Sequence, residues 1–320
     1  MRRTALKALA LPLLAAALGG MPVAQAADNF KIMIGANPGG GYDQTGRGIG
    51  KALQEAGAAG SVTYENKGGA GGTIGLAQFV NASKGDPHAL VVVGAVMVGA
   101  IVQNNPPVTM ANATPIARLI AEYNVFVVPA NSPIKSMKDV VEQMKKDPAS
   151  VKWGGGSKGS TDHISVAMIA NAVGVDVAKI NYVPFKGGGE ATAAVLGGHI
   201  TVGTSGYAEM EEYIKTGKMR ALAYTAGTRQ KGVDIPTLKE QGIDVEIGNW
   251  RGVYGAPGIS AEQRKALIDA VTKATRTKSW QETLQANRWN SAVMTGDEFG
   301  RFVEEDHARL RALMVRLGML

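Results

Sequence analysis

Lys31-Ile32-Met33-Ile34-Gly35-Ala36-Asn37-Pro38-Gly39-Gly40-Gly41-Tyr42-Asp43 runs from a short apolar stretch through three adjacent glycines into a helical pattern. Strand, glycine turn, helix is the unit of an α/β fold. A helix start leaves backbone N–H groups unpaired and carries a partial positive charge. Glycine lets the backbone approach a guest with no Cβ in the way. Such a turn is therefore suited to a phosphate or a carboxylate.

The unit recurs three more times, at Asn66-Lys67-Gly68-Gly69-Ala70-Gly71-Gly72, at Gly154-Gly155-Gly156-Ser157-Lys158-Gly159-Ser160 and at Lys186-Gly187-Gly188-Gly189. A lone glycine turn is as readily a plain βα connection. Four such runs at strand-to-helix junctions point to an anion site at the carboxyl ends of the strands. Hydrogen bonds to a charged group contribute roughly 1.5–3 kcal/mol each. Four or five of them reach the ~8 kcal/mol of micromolar binding without a metal. The candidate ligand-binding residues are Gly39, Gly40, Gly41, Tyr42, Asp43, Gly71, Gly72, Ser157, Ser160, Thr161, Lys186, Gly187, Gly188 and Arg251. Among these, Ser157, Ser160 and Thr161 either donate to a carboxylate or cap the following helix. Asp43 is an odd neighbour for an anion and suits ordering the loop. Arg251, in Asn249-Trp250-Arg251-Gly252-Val253-Tyr254, has a fork that can take a carboxylate in two parallel bonds.

Further strands are expected at Val62–Glu65, Leu90–Val93, Val125–Val128, Val151–Trp153, Asn181–Val183, Ile200–Gly203 and Ala221–Tyr224, with helices between them and a helical tail after Tyr254. The alternation predicts parallel strands, and the length predicts two lobes. Chain crossings are expected at Glu122–Ser132 and near Ala221–Thr228. The expected division is residues 1–26 as a signal peptide, 27–124 plus 226–320 as one lobe and 125–225 as the other.

Arg2, Arg3 and Lys7, the apolar run Leu9–Leu18 and Ala24-Gln25-Ala26 have the three parts of a secretion signal, with cleavage expected after Ala26. Without that segment the formal charge falls from +7 to +4. Lysine and arginine are scattered with no basic stripe, which argues against nucleic acid. There is no cysteine, so a disulfide, a thiolate nucleophile and a cysteine-held metal are excluded. The four histidines show no ligand spacing, so no metal is expected. No cofactor is expected either, since neither of the first two turns fits the dinucleotide fingerprint.

Pro38-Gly39-Gly40-Gly41-Tyr42-Asp43, Glu65 to Gly72, Gly154 to His163 and Val183-Pro184-Phe185-Lys186-Gly187-Gly188-Gly189-Glu190, in that order, resemble the substrate-binding proteins of the tripartite tricarboxylate transporter family. The resemblance covers nearly all of the chain after the signal segment. It implies an α/β, two-lobed type II periplasmic binding protein fold with two crossover hinge strands. It implies a soluble periplasmic receptor, a monomer by default, that delivers a small carboxylate to a membrane permease of one large and one small subunit. Carboxylate-holding roles carry over to Gly39–Asp43 and to Ser157–His163, which adds His163 to the candidates. The commoner family pattern has Thr or Ser in place of Tyr42 and no arginine at Arg251. Both departures resemble the citrate-binding branch, which makes a tricarboxylate the leading expectation and a di- or monocarboxylate the alternative. A sensor kinase would use the same liganded receptor.

The rival from another class is a secreted serine hydrolase, because Gly155-Gly156-Ser157-Lys158-Gly159 matches the nucleophile elbow. The expected acid-then-histidine order and the oxyanion motif are missing downstream, so the receptor reading, without enzymatic chemistry, is preferred.

Overall fold

The computed structural model describes residues 28–320. The expected signal peptide and its cleavage site lie outside the described residues. In the first lobe β1 (Asn29–Ile34) lies between β2 (Ser61–Asn66) and β3 (Ala89–Gly94), all parallel. Ala-Leu-Val-Val-Val-Gly of β3 is buried at every position. Such an unbroken apolar, β-branched run marks a strand covered on both faces. The helices α1 (Gly41–Glu55), α2 (Thr73–Ala82) and α3 (Ala95–Asn104) follow these strands.

The chain then enters β4 (Thr114–Pro129), a strand of 16 residues that belongs to both lobes. Its Asn124–Pro129 half joins the second lobe, built from α4 (Met137–Lys146), β5 (Lys152–Gly155), α5 (Thr161–Ala172), β6 (Asn181–Pro184), α6 (Gly188–Leu196), β7 (Val202–Gly206), α7 (Tyr207–Lys215) and β8 (Met219–Tyr224). There β5 lies parallel between β6 and β7. The chain returns to the first lobe in β9 (Gly248–Gly255), which sits antiparallel between β3 and β4. The helices α8 (Ala261–Ala274) and α9 (Lys278–Ala286), the edge strand β10 (Asn290–Thr295) and α10 (Gly296–Arg316) complete that lobe.

Three features differ from the sequence-based expectation. The sheets are mixed rather than parallel, because strands that carry the chain across the hinge run against their neighbours. α3 and β10 were not anticipated. Val233 and Ile235 pack with Val125 and Tyr224, and Leu238, Ile243 and Val245 pack with Phe126 and Trp153. Packing thus keeps residues 226–246 with the second lobe, and the chain crosses back at Ile247–Gly248 rather than near Ala221–Thr228. At the hinge Thr225 donates from its backbone N–H to the Asn124 carbonyl (2.9 Å), and Ile247 donates likewise to Thr225 (3.1 Å).

Candidate functional site

All four glycine turns reach one crevice between the lobes. Gly40, Gly41 and Tyr42 face it from the first turn, Gly71 from the second, Gly156 and Ser157 from the third, and Lys186, Gly187 and Gly188 from the fourth. Arg251 on β9 forms its floor, with Asn249 beside it. The lobes are close here: a Cβ on Gly40 would stand 3.2 Å from the Gly188 backbone nitrogen. The enclosed volume is about 60 Å³, well below the ~300–1,000 Å³ usual for a ligand cleft. A guest therefore enters when the lobes part or the side chains between them swing away.

The helix mouths already engage carboxylates of the chain itself. The Gly41 backbone N–H, at the start of α1, donates to Glu209 Oε1 of the opposite lobe at 3.0 Å. Glu209 Oε2 accepts from Ser205 Oγ at 2.7 Å. At the third turn Gly156 N–H donates to Asp162 Oδ2 (2.7 Å), and Asn124 Nδ2 donates to Asp162 Oδ1. At the fourth, Lys186 N–H donates to Glu190 Oε2, while Asn37 of the first lobe donates to Glu190 Oε1. Glycine at 41 and 188 makes room for this arrangement: a Cβ would displace the Arg251 guanidinium at one and the Glu209 carboxylate at the other. The guests expected at these backbones are in part internal.

Arg251, 4% exposed, pairs through Nη2 with Glu122 and lies 3.5 Å from Glu209 Oε1. Glu122, on β4 and also buried, accepts from Asn249 Nδ2 (3.0 Å) and from Trp289 Nε1 (2.7 Å). Burial lowers the arginine's affinity for its proton, but Glu122 and Glu209 outweigh it and the guanidinium stands above its ordinary pKa. Burial also lifts Asp162 to about 7, helped by the charges of Glu209 and Glu122 against the Gly156 N–H. Glu209 is raised chiefly by burial, with Arg251 opposing and Glu122 adding to the rise. Arg251 Nε and Nη1 and Asn249 Oδ1 are buried with no hydrogen-bond partner, and so is Ser157 Oγ.

Other expected residues stand behind the crevice or beside it. Asp43 orders the first turn: its Oδ2 accepts from Gly39 N–H at 3.0 Å, and its Oδ1 takes Arg47 and Asn66. Ser160 caps α5 by accepting from His163 N–H, and Thr161 Oγ1 is buried without a partner. His163 Nδ1 accepts from Gly159 N–H at 3.1 Å, and its ring lies 4.4 Å from that of Tyr182. Burial first, then Lys158, holds its pKa down to about 4. Gly39 and Gly72 shape turns without lining the crevice. Neither the Ser157–histidine contact nor the acid-oriented base of a hydrolase is formed among the described residues, since Ser157 Oγ has no partner and His163 is engaged elsewhere.

The residues that sequence reasoning missed are Asp162, Glu209, Glu122 and Asn249. A signal for Glu209 existed, because Ser205-Gly206 closes β7 and opens α7, a fifth strand–glycine–helix junction. Asp162 was signalled by its place in the first turn of α5, where an acid suits the helix dipole.

A family model described as the tripartite tricarboxylate transporter family receptor matches residues 47–319. The UPF0065 protein in the gbd 5' region of Cupriavidus necator is 28% identical over 315 residues, spanning 94% of this chain and 93% of that protein. Among solved structures, the periplasmic binding protein BugD superposes with a TM-score of 0.83 at 22% identity, over 91% of this chain and 98% of that one. MatC from Rhodopseudomonas palustris with bound malate superposes with a TM-score of 0.79 at 21% identity, over 92% and 99%. The architecture is accordingly the two-lobed α/β arrangement of periplasmic binding proteins.

Proposed function

The chain belongs to the tripartite tricarboxylate transporter receptor family, and from that premise we propose that it captures a small carboxylate in the crevice between its lobes. The carrying observation is Arg251: a buried guanidinium lining the crevice with Nε and Nη1 unpartnered. A buried donor without an acceptor costs roughly 1–3 kcal/mol, more when charged, and a ligand carboxylate removes that cost. MatC, of the same fold, holds malate, which accords with a small carboxylate as guest. The starts of α1, α5 and α6, with their partial positive charge, add to its field.

Charge favours a ligand with few carboxylates over the tricarboxylate that the resemblance suggests. Asp162 and Glu209 already line the crevice, with Glu122 paired to Arg251 beside them, and three more negative charges would add like-charge repulsion in a low dielectric. The solute is handed on to a two-subunit permease at the membrane, with the receptor a periplasmic monomer freed of residues 1–26. Among the described residues no helix is long and apolar enough to cross a membrane.

Thermal unfolding against a panel of mono-, di- and tricarboxylates tests this reading. A true ligand raises Tm in step with RT ln(1 + [L]/Kd), about 2.7 kcal/mol at a hundredfold excess over Kd. Arg251→Gln is expected to weaken binding by roughly tenfold or more, the worth of one charged hydrogen bond. Equal affinity in the variant would refute Arg251 as the carboxylate's seat.

A further inference from the structure

We propose that the solute is a zwitterion: Arg251 takes its carboxylate, and Asp162, Glu209 and Asn249 take a positively charged nitrogen on the same small molecule. This rests on the carboxylate-receptor reading and narrows it.

The charge balance of the crevice comes first. Asp162 and the side chain of Glu209 are buried in its lining, Glu122 is buried against Arg251, and Arg251 is the one buried cation there among the described residues. Lys186 sits at the rim, exposed, and makes no ion pair with any of them. Taking a charge out of water costs several kcal/mol unless a partner is supplied. One guanidinium cannot neutralise three carboxylates, and burial has lifted Asp162 and Glu209 accordingly. A purely anionic guest would deepen the imbalance, whereas a cationic group would relieve it.

Hydrogen-bond capacity gives a second, independent sign. Asn249, 4% exposed, commits its Nδ2 to Glu122, so its Oδ1 is an acceptor with no donor. Each oxygen of Asp162 and of Glu209 takes one hydrogen bond within the chain and has room for another. On the other side Arg251 Nε and Nη1 are donors with no acceptor. Unmet acceptors and unmet donors line the same crevice. An ammonium carries three donors and a carboxylate only acceptors, so one molecule bearing both answers both shortages. A metal ion is a poorer answer to the acids, because among the described residues no group of three or more His, Asp or Glu is placed to hold one.

Isothermal titration with pairs that differ at one carbon decides the matter: L-malate against L-aspartate, lactate against L-alanine, and 2-hydroxyglutarate against L-glutamate. In the pair whose size fits, the amino member is expected to bind at least about tenfold tighter, the value of one charge-assisted bond. Asp162→Asn is expected to remove most of that preference, read as the ratio of the two affinities, because the amino member loses a partner and the hydroxy member loses a repelling charge. If the hydroxy acids bind as tightly as their amino partners in the unaltered protein, the zwitterion is refuted and the carboxylate receptor stands. If no member of any pair binds, both readings fall.

Discussion

Asp162 is the residue whose chemistry is most exposed to pH. Its carboxyl, at 3.8 in an unfolded chain, is held at about 7 by burial and by the charges of Glu209 and Glu122, with Gly156 and Arg251 opposing. An acid raised on folding keeps its proton in the folded state over that interval, so its contribution to stability is full below the unfolded value. It is lost as pH rises towards 7. His163 works in the opposite sense: its folded pKa of about 4 makes the neutral ring a source of stability that disappears as pH falls from 6.5. The difference between the protein and Asp162→Asn isolates the first term. Urea midpoints are expected to show the unaltered protein losing stability relative to the variant between pH 4 and 7, at up to ~1.4 kcal/mol per pH unit. A difference that stays flat would mean that Asp162 is ionised throughout. Arg251 was legible because it stands alone in a strand-like apolar segment. Glu209 was legible only as far as its Ser205-Gly206 junction, since Glu209, Glu211 and Glu212 look alike in Tyr207–Lys215 and only the fold turns the first of them onto the Gly41 amide.

The turn–helix units are where sequence and structure agree most closely. Glycine doublets and triplets mark the starts of α1 and α6 to the residue or nearly so. α3 escaped notice because Ala89–Val102 is one apolar run in which a buried strand passes into a buried helix with no break in polarity. Periodicity cannot divide such a run. β10 escaped because it is a short edge strand, none of whose six residues is fully buried, with its apolar residues confined to Ala292-Val293-Met294 and no alternation. Among the elements α5 matters most to the crevice, because it presents Asp162. Its start depends on Ser160 Oγ, which accepts from His163 N–H at 3.3 Å. Ser160→Ala is expected to lower unfolding stability by about 1 kcal/mol, as loss of an N-cap does. A urea titration with an unchanged m-value checks this, and no measurable loss would show that the cap is made by another group.

Glu209 gives the two lobes a shared hydrogen bond at the Gly41 amide, and Asn37 with Glu190 gives another. These bonds favour the closed arrangement before any solute adds its own, so the protein works against an internal competitor. Glu209→Gln loses the charge that holds Arg251 from the second lobe. The variant is expected to spend more time open, which small-angle scattering reads as a larger radius of gyration without solute. An unchanged radius would remove Glu209 as a tie between the lobes. The two-lobe division was legible from length and from the two pairs of glycine turns. The return crossing was not, because Thr225–Ile247 is irregular and only its packing on Phe126 and Trp153 assigns it to the second lobe.

The position of β9 bears on how the chain acquires its shape. It lies between β3 and β4, although more than a hundred residues separate it from either in sequence. As the polypeptide emerges N-terminus first, the first sheet keeps a central gap until the whole inserted lobe has been made. Such distant pairing is slow, since loop closure precedes any gain from the contacts. The inserted lobe, closed on its own strands, is free to fold earlier. A nascent chain would thus pass through a half-finished form with β3 and β4 unzipped along one edge, a state that a folding helper could grip.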